Sequence, residues 1–88
     1  MNIIIAGGGK VGRKLIEDLN GEGHNIVLID KRRAVAEQIQ DDYDVMGICG
    51  SGADIEVLDE AGIKNTDLFI AVTGKDEFNA LSGIIAKN

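Results

Sequence analysis

The sequence predicts an α/β fold in three layers, built on a parallel sheet of strand order 3-2-1-4. Three observations predict it. Short apolar runs alternate four times with helical stretches along the 88 residues. The first run breaks into a glycine-rich turn that opens a helix, and the second run ends in an acid, Asp30. Strands that alternate with helices close into a parallel sheet with right-handed crossovers.

The elements follow in order. The first strand is Asn2-Ile3-Ile4-Ile5-Ala6. Gly7-Gly8-Gly9-Lys10-Val11-Gly12 comes next, a turn of the form G-x-G-x-x-G. A helix over residues 10–21 carries Val11, Leu15 and Leu19 on one face, and Gly21 and Gly23 stop it. The second strand, Asn25-Ile26-Val27-Leu28-Ile29, is closed by Asp30. A helix over 32–41 turns Val35 and Ile39 inward and Arg32, Arg33, Glu37, Gln38 and Asp41 outward. The third strand spans 44–49, Asp44 to Cys49, and a loop Gly50-Ser51-Gly52 follows it. A helix over 54–61 has Asp54 as its N-cap, with Ile55 and Leu58 on the buried face, and Gly62 ends it. The fourth strand spans 67–73, Asp67 to Thr73. A last helix over 75–87 places Phe78, Leu81 and Ile85 at helical spacing. The first and fourth strands are continuous apolar runs, as expected of strands covered on both faces.

The glycine turn carries chemistry because of where it sits. It joins a strand to a helix, and an acid ends the next strand 18 residues beyond Gly12. That is the dinucleotide-binding fingerprint. Gly7 lets the chain leave the strand through a tight turn. Gly9 lets backbone approach a pyrophosphate, and Gly12 lets the helix lie close to the sheet. The free N–H groups and positive end of that helix face the anion. The Asp30 carboxylate is placed to accept hydrogen bonds from the adenosine ribose. Its charge favours NAD(H) over NADP(H), although Lys31, Arg32 and Arg33 stand beside it.

Composition excludes other classes. The formal net charge is −6, which repels nucleic acid and anionic membrane surfaces. No apolar run approaches the ~20 residues of a spanning helix, and Ile3-Ile4-Ile5 is too short for a signal peptide. A cytoplasmic chain is expected. The single cysteine, Cys49, has no internal disulfide partner and no ligand cluster for a metal, and reads as a small buried residue ending a strand. His24, the single histidine, reads as a surface loop residue. Neither Cys49 nor Ser51 with His24 builds a catalytic site. Length implies one small domain, marginally stable alone.

The run Asn2 to Gly12 resembles the N-terminus of the KTN/RCK domains of Trk-type potassium-uptake regulators. Three later segments agree: Gly50-Ser51-Gly52-Ala53-Asp54 with Val57-Leu58 and Ala61-Gly62-Ile63, then Asp67 to Thr73, then Asp76-Glu77-Phe78-Asn79 with Ala86-Lys87. The resemblance implies a Rossmann-like domain that binds NAD(H), or ATP/ADP in some relatives. It also implies dimers that assemble into a ring beneath a potassium-conducting membrane protein, with nucleotide state gating the pore. By position, Gly7, Gly9, Lys10, Val11 and Gly12 would line the pyrophosphate and Asp30 would hold the ribose. Lys31 and Arg32 would sit near the adenosine edge, Gly50 and Ser51 beside the adenine, and Thr73 on the nicotinamide side. The loop Gly50-Ser51-Gly52 departs from the family, which usually carries an acid, Asn or His there.

The resemblance implies further strands and a ligand-binding module beyond residue 88, so the chain is expected to be truncated. The fourth strand is then expected to be an edge. Apolar residues on more than one face of the last helix, Ile84 among them, are expected to meet either the sheet or another chain of a homo-oligomer. The alternative is the N-terminal cofactor-binding fragment of an NAD-dependent oxidoreductase. Hydride transfer needs an acid–base group facing the nicotinamide. No His, Lys or Tyr stands at a strand end on that side; Lys75 and Asp76 are nearest and read as helix-start charges. A regulatory domain without catalysis is the expectation.

Overall fold

The computed structural model describes residues 1–72 and the backbone of residues 84–86. β1 (Asn2–Ala6) leads through the glycine turn into α1 (Lys10–Asn20), then β2 (Asn25–Asp30) and α2 (Arg33–Tyr43). β3 (Met46–Cys49), α3 (Ile55–Glu60), a 3-10 turn (Ile63–Asn65), β4 (Leu68–Ala71) and β5 (Ile84–Ala86) complete it. The sheet order is β3-β2-β1-β4-β5, and the first four strands are parallel. The expected 3-2-1-4 order and the α/β class are therefore present.

The register explains why β1 is central. Ile3, Ile4, Ile5 and Ala6 pair with Ile26, Val27, Leu28 and Ile29 on one side and with Leu68, Phe69, Ile70 and Ala71 on the other. Alternation then splits the isoleucines between two cores. Ile3 and Ile5 join Ile16 of α1, Ile39 of α2, Leu28 and Ile70 beneath the first helical layer. Ile4 joins Ile29, Ile48 and Ala61, with Val57, Leu58 and Phe69 packed against them, beneath α3. Ile5 is fully buried, a side chain whose removal from water is worth about 1.5–3 kcal/mol.

Several expectations need correction. In α1 the stripe Val11, Leu15 and Leu19 packs on the core only partly buried, and the deepest residues are Gly12 and Ile16. In α2, Val35 and Ile39 do face inward, joined by Ala36. β3 begins at Met46 because Asp44 caps α2 in the left-handed region, with φ of 56°, and cannot also extend a strand. Asp54 caps α3, its carboxylate accepting from the Glu56 N–H at 2.9 Å. Ile55 is 80% exposed rather than buried. It stands at the first helical position, and Val57, Leu58 and Ala61 cover the sheet instead. Cys49 is exposed: it is the last residue of β3, an edge strand, and its Sγ lies 3.5 Å from the Lys31 carbonyl oxygen. His24 is partly covered, its Nδ1 3.2 Å from the N-terminal amine and its Nε2 3.4 Å from Glu22.

The largest difference is at the end of the chain. Ile84–Ala86 is a strand antiparallel to β4, pairing Ile84 with Ile70 and Ala86 with Leu68. The β4 edge is thus occupied by this chain's own backbone, whose unpaired groups the strand satisfies. A β-branched pair, Ile84-Ile85, favours that extended form. The rest of the helix expected over 75–87, with Lys75, Asp76, Phe78 and Leu81, lies outside the described residues.

Candidate functional site

All four parallel strands point their C-terminal ends the same way, so the loops after β1, β2 and β3 gather at one edge. There Gly7 and Gly12 interlock. Gly7 has φ of +119°, and a Cβ on it would fall 1.8 Å from the Val72 carbonyl oxygen. A Cβ on Gly12 would fall 2.0 Å from the Gly7 carbonyl oxygen. Both positions exclude any side chain, and this close approach seats α1 against the strand ends. Gly9 differs. It is the N-cap of α1 at φ −77° and ψ −161°, a conformation open to any residue. Backbone geometry gives no reason for a glycine there.

The N-cap of α1, Gly9, has no side chain to cap the helix, and no acid stands in its first turn. Lys10 is its first residue and is exposed. Val11 turns its side chain into the core, so it offers the turn only its N–H.

Asp30 is the buried charge of the site, 6% exposed. Its Oδ2 accepts from the Gly8 N–H at 2.7 Å, tying the glycine turn to the end of β2. Its Oδ1 accepts from the Arg32 N–H at 2.8 Å. The Arg32 guanidinium adds two more bonds, Nε to Oδ1 at 3.0 Å and Nη2 to Oδ2 at 3.1 Å. Burial alone would raise the Asp30 pKa. The Arg32 guanidinium bond, the backbone bonds from Arg32 and Gly8, and the guanidinium charge outweigh it and hold the carboxyl below its ordinary value. The carboxylate expected to await a ribose is therefore already paired. The outward-facing Arg32 of the sequence reading folds back over it.

A cavity of about 540 Å³ opens at this edge. Of the expected site residues, Gly7, Asp30, Lys31, Arg32 and Gly50 line it. Gly9, Lys10, Val11, Gly12 and Ser51 do not. The Ser51 hydroxyl instead accepts from the Ala53 N–H at 3.1 Å and shapes the loop before α3. Thr73 lies outside the described residues. The walls the sequence reading missed are apolar: Ala6 and Ile29, Gly52 and Ala53, and Phe69, Ala71 and Val72. Small residues closing β1 and β4, Ala6 and Ala71, were the available signal. Asp30-Lys31-Arg32 before a helix was the signal for the carboxylate-capped turn. Among the described residues no group of three His, Cys, Asp or Glu could hold a metal, and no described helix is long and apolar enough to cross a membrane.

This geometry meets a direct match in sequence. The TrkA-N domain model covers residues 3–88. The chain belongs to the TrkA-N family. The KTN/RCK resemblance is borne out by that match and by similar proteins in archaea and bacteria. A Trk system potassium uptake protein TrkA homolog of Methanothermobacter thermautotrophicus is 41% identical over 87 residues, covering 99% of this chain and 40% of that protein. One from Archaeoglobus fulgidus is 42% identical over 87 residues, covering 99% of the chain and 20% of the protein. The Trk system potassium uptake protein TrkA of Vibrio alginolyticus is 40% identical over 79 residues, 90% of the chain and 17% of the protein. This TrkA-N chain thus spans two-fifths or less of the length of these relatives.

Proposed function

We propose that the domain binds an adenine dinucleotide, NAD(H) in preference to NADP(H), and that this binding regulates potassium uptake. One observation carries the reading: α1 directs an uncapped positive end at a glycine turn that a buried carboxylate braces from behind. The fit of this group to the residues present rests on Gly9, whose backbone conformation does not itself require glycine, so that a close approach of phosphate would account for one there. The turn from Gly7 to Gly12 would line the pyrophosphate and hold it with the backbone N–H groups from Gly9 onward, since those of Gly7 and Gly8 go to Ile29 and Asp30. Asp30 would take the ribose, and the apolar walls at Ala53, Ala71 and Phe69 suit the flat face of a base or nicotinamide.

The names of the relatives support the potassium role. In the whole protein, the domain would sit on the cytoplasmic side of a membrane potassium transporter as part of a homo-oligomer. Ligand occupancy would change subunit geometry there without catalysis, as gating requires. The oligomer no longer draws support from a helical face at Ile84, since that residue lies in β5.

Calorimetric titration with NAD, NADH, NADPH, ATP and ADP tests the reading. NADH should bind, and Gly9→Val should lose that binding by orders of magnitude while remaining folded. Unchanged affinity in a folded Gly9→Val variant would sink it. Tighter binding of NADPH would overturn the cofactor choice, and stronger binding of ATP would move the site to nucleoside triphosphates. Steady NADH turnover with a small carbonyl substrate would instead favour an oxidoreductase fragment. A concentration-dependent melting temperature would support the oligomer, and a strictly monomeric mass at hundreds of micromolar would count against it in this chain.

A further inference from the structure

The hydrogen-bond census of Asp30 leaves no acceptor site for a sugar. A carboxylate oxygen offers about two lone-pair sites. Oδ1 takes Arg32 N–H at 2.8 Å and Nε at 3.0 Å, and Oδ2 takes Gly8 N–H at 2.7 Å and Nη2 at 3.1 Å. Two of these donors are backbone groups fixed by the glycine turn and by the entry to α2. The other two belong to one guanidinium, whose side chain is 62% exposed against 5% for the carboxylate it covers. Arg32 and Asp30 both line the cavity.

We propose that the Arg32 guanidinium occupies the ribose subsite itself, and that an adenosine ribose enters only by displacing it. The match is chemical. The guanidinium presents two donors, one to each carboxylate oxygen, and a vicinal diol presents the same pair. Displacement exchanges two hydrogen bonds for two and needs no change of protonation. The backbone bonds from Gly8 and Arg32 persist and keep the carboxylate aimed. Arg32 is then a specificity-determining residue. It sets how much of the ribose hydroxyl interaction appears as affinity, because each hydroxyl bond formed is offset by a charge-assisted bond broken. This rests on the nucleotide reading of the site.

The test compares ADP with 2′,3′-dideoxy-ADP, which share base, phosphates and charge and differ only in the hydroxyls. The readout is the ratio of their dissociation constants, so any general effect of losing a cation or loosening the loop cancels. In the wild-type chain the ratio should be small. In Arg32→Ala it should rise by about three- to tenfold, the range open to a partly exposed ion pair with fork geometry. Arg32→Lys, with a single point donor, should lie between. An unchanged or smaller ratio in a folded Arg32→Ala variant that still binds ADP overturns the inference and leaves the nucleotide site standing. Failure of wild type and variant alike to bind ADP or NADH removes the nucleotide reading, and this inference falls with it.

Discussion

Asp30→Asn isolates the worth of the buried carboxylate that joins the glycine turn to β2. The asparagine keeps the shape but replaces one acceptor oxygen with an NH₂ donor. With its oxygen toward Gly8, the NH₂ faces the Arg32 N–H across 2.8 Å; reversed, it faces the Gly8 N–H across 2.7 Å. Either way a donor meets a donor at a buried position. The expected cost is one unsatisfied buried group, about 1–3 kcal/mol. For a domain this size about 2 kcal/mol lowers the melting temperature by about 8–16 °C. Thermal melts followed by circular dichroism would read it. The pH course gives a second check. The folded pKa of Asp30 is lowered, so its contribution is fully present above the unfolded value, near 3.9 for an aspartate, and is lost as pH falls through the folded one. The gap between wild type and Asp30→Asn should therefore be full near neutrality and should close only in acid. Coincident melts near neutral pH, or a gap that widens on acidification, would refute the bracing role of Asp30.

Two further substitutions probe the fold around the site. Gly12→Ala puts a Cβ 2.0 Å from the Gly7 carbonyl oxygen, so α1 must lift from the strand ends; urea denaturation should show a loss of about 1–3 kcal/mol or more. Ile55→Asp should change stability by no more than about 0.5 kcal/mol and raise it if anything, because the residue is 80% exposed in the first turn of a helix, where an acid is favoured; a clear loss in the same assay would mean that the residue packs against something.

Sequence pattern was sufficient wherever one local rule acted alone. The apolar runs of β1, β2 and β4, the glycine turn and the Asp54 cap all followed from their own residues. It failed where two rules competed or where partners were distant. Ile55 matched a helical stripe, but its place beside the N-cap turned it to solvent. Asp44 looked like a strand start and is instead the left-handed end of α2. Ile85 satisfied a helical period with Phe78 and Leu81, yet it lies with Ile84 in a strand paired with β4. At the site, the Gly8 bond to Asp30 joins residues 22 apart, and no pattern announces that the middle glycine is the one that donates. The Arg32 fork depends on a side-chain conformation that periodicity treats as outward.

The arrangement of charge on the helices argues for an anion at this edge independently of the motif. Helix dipoles favour acids in the first turn and bases in the last, each by about 0.3–1 kcal/mol. α3 obeys, with the Asp54 cap and Glu56 in its first turn. α1 and α2 reverse the rule. Neither has an acid in its first turn or a base in its last. Lys10 and Arg13 stand in the first turn of α1 with Glu17 and Asp18 in its last, and Arg32 and Arg33 open α2 with Asp41 and Asp42 closing it. A chain of net charge −6 thus keeps cations at the two helix ends nearest the glycine turn and moves its acids to the far ends. Helix-dipole energetics alone gain nothing from that pattern, since by that measure both helices would be steadier with the charges exchanged. An anionic ligand at the strand ends would gain from the positive ends of the two helices. Asp30, buried at this edge, is paired with the Arg32 guanidinium. Under the proposed reading its charge is uncovered only when a ribose replaces the guanidinium, which leaves Arg32 free to add to the same positive field.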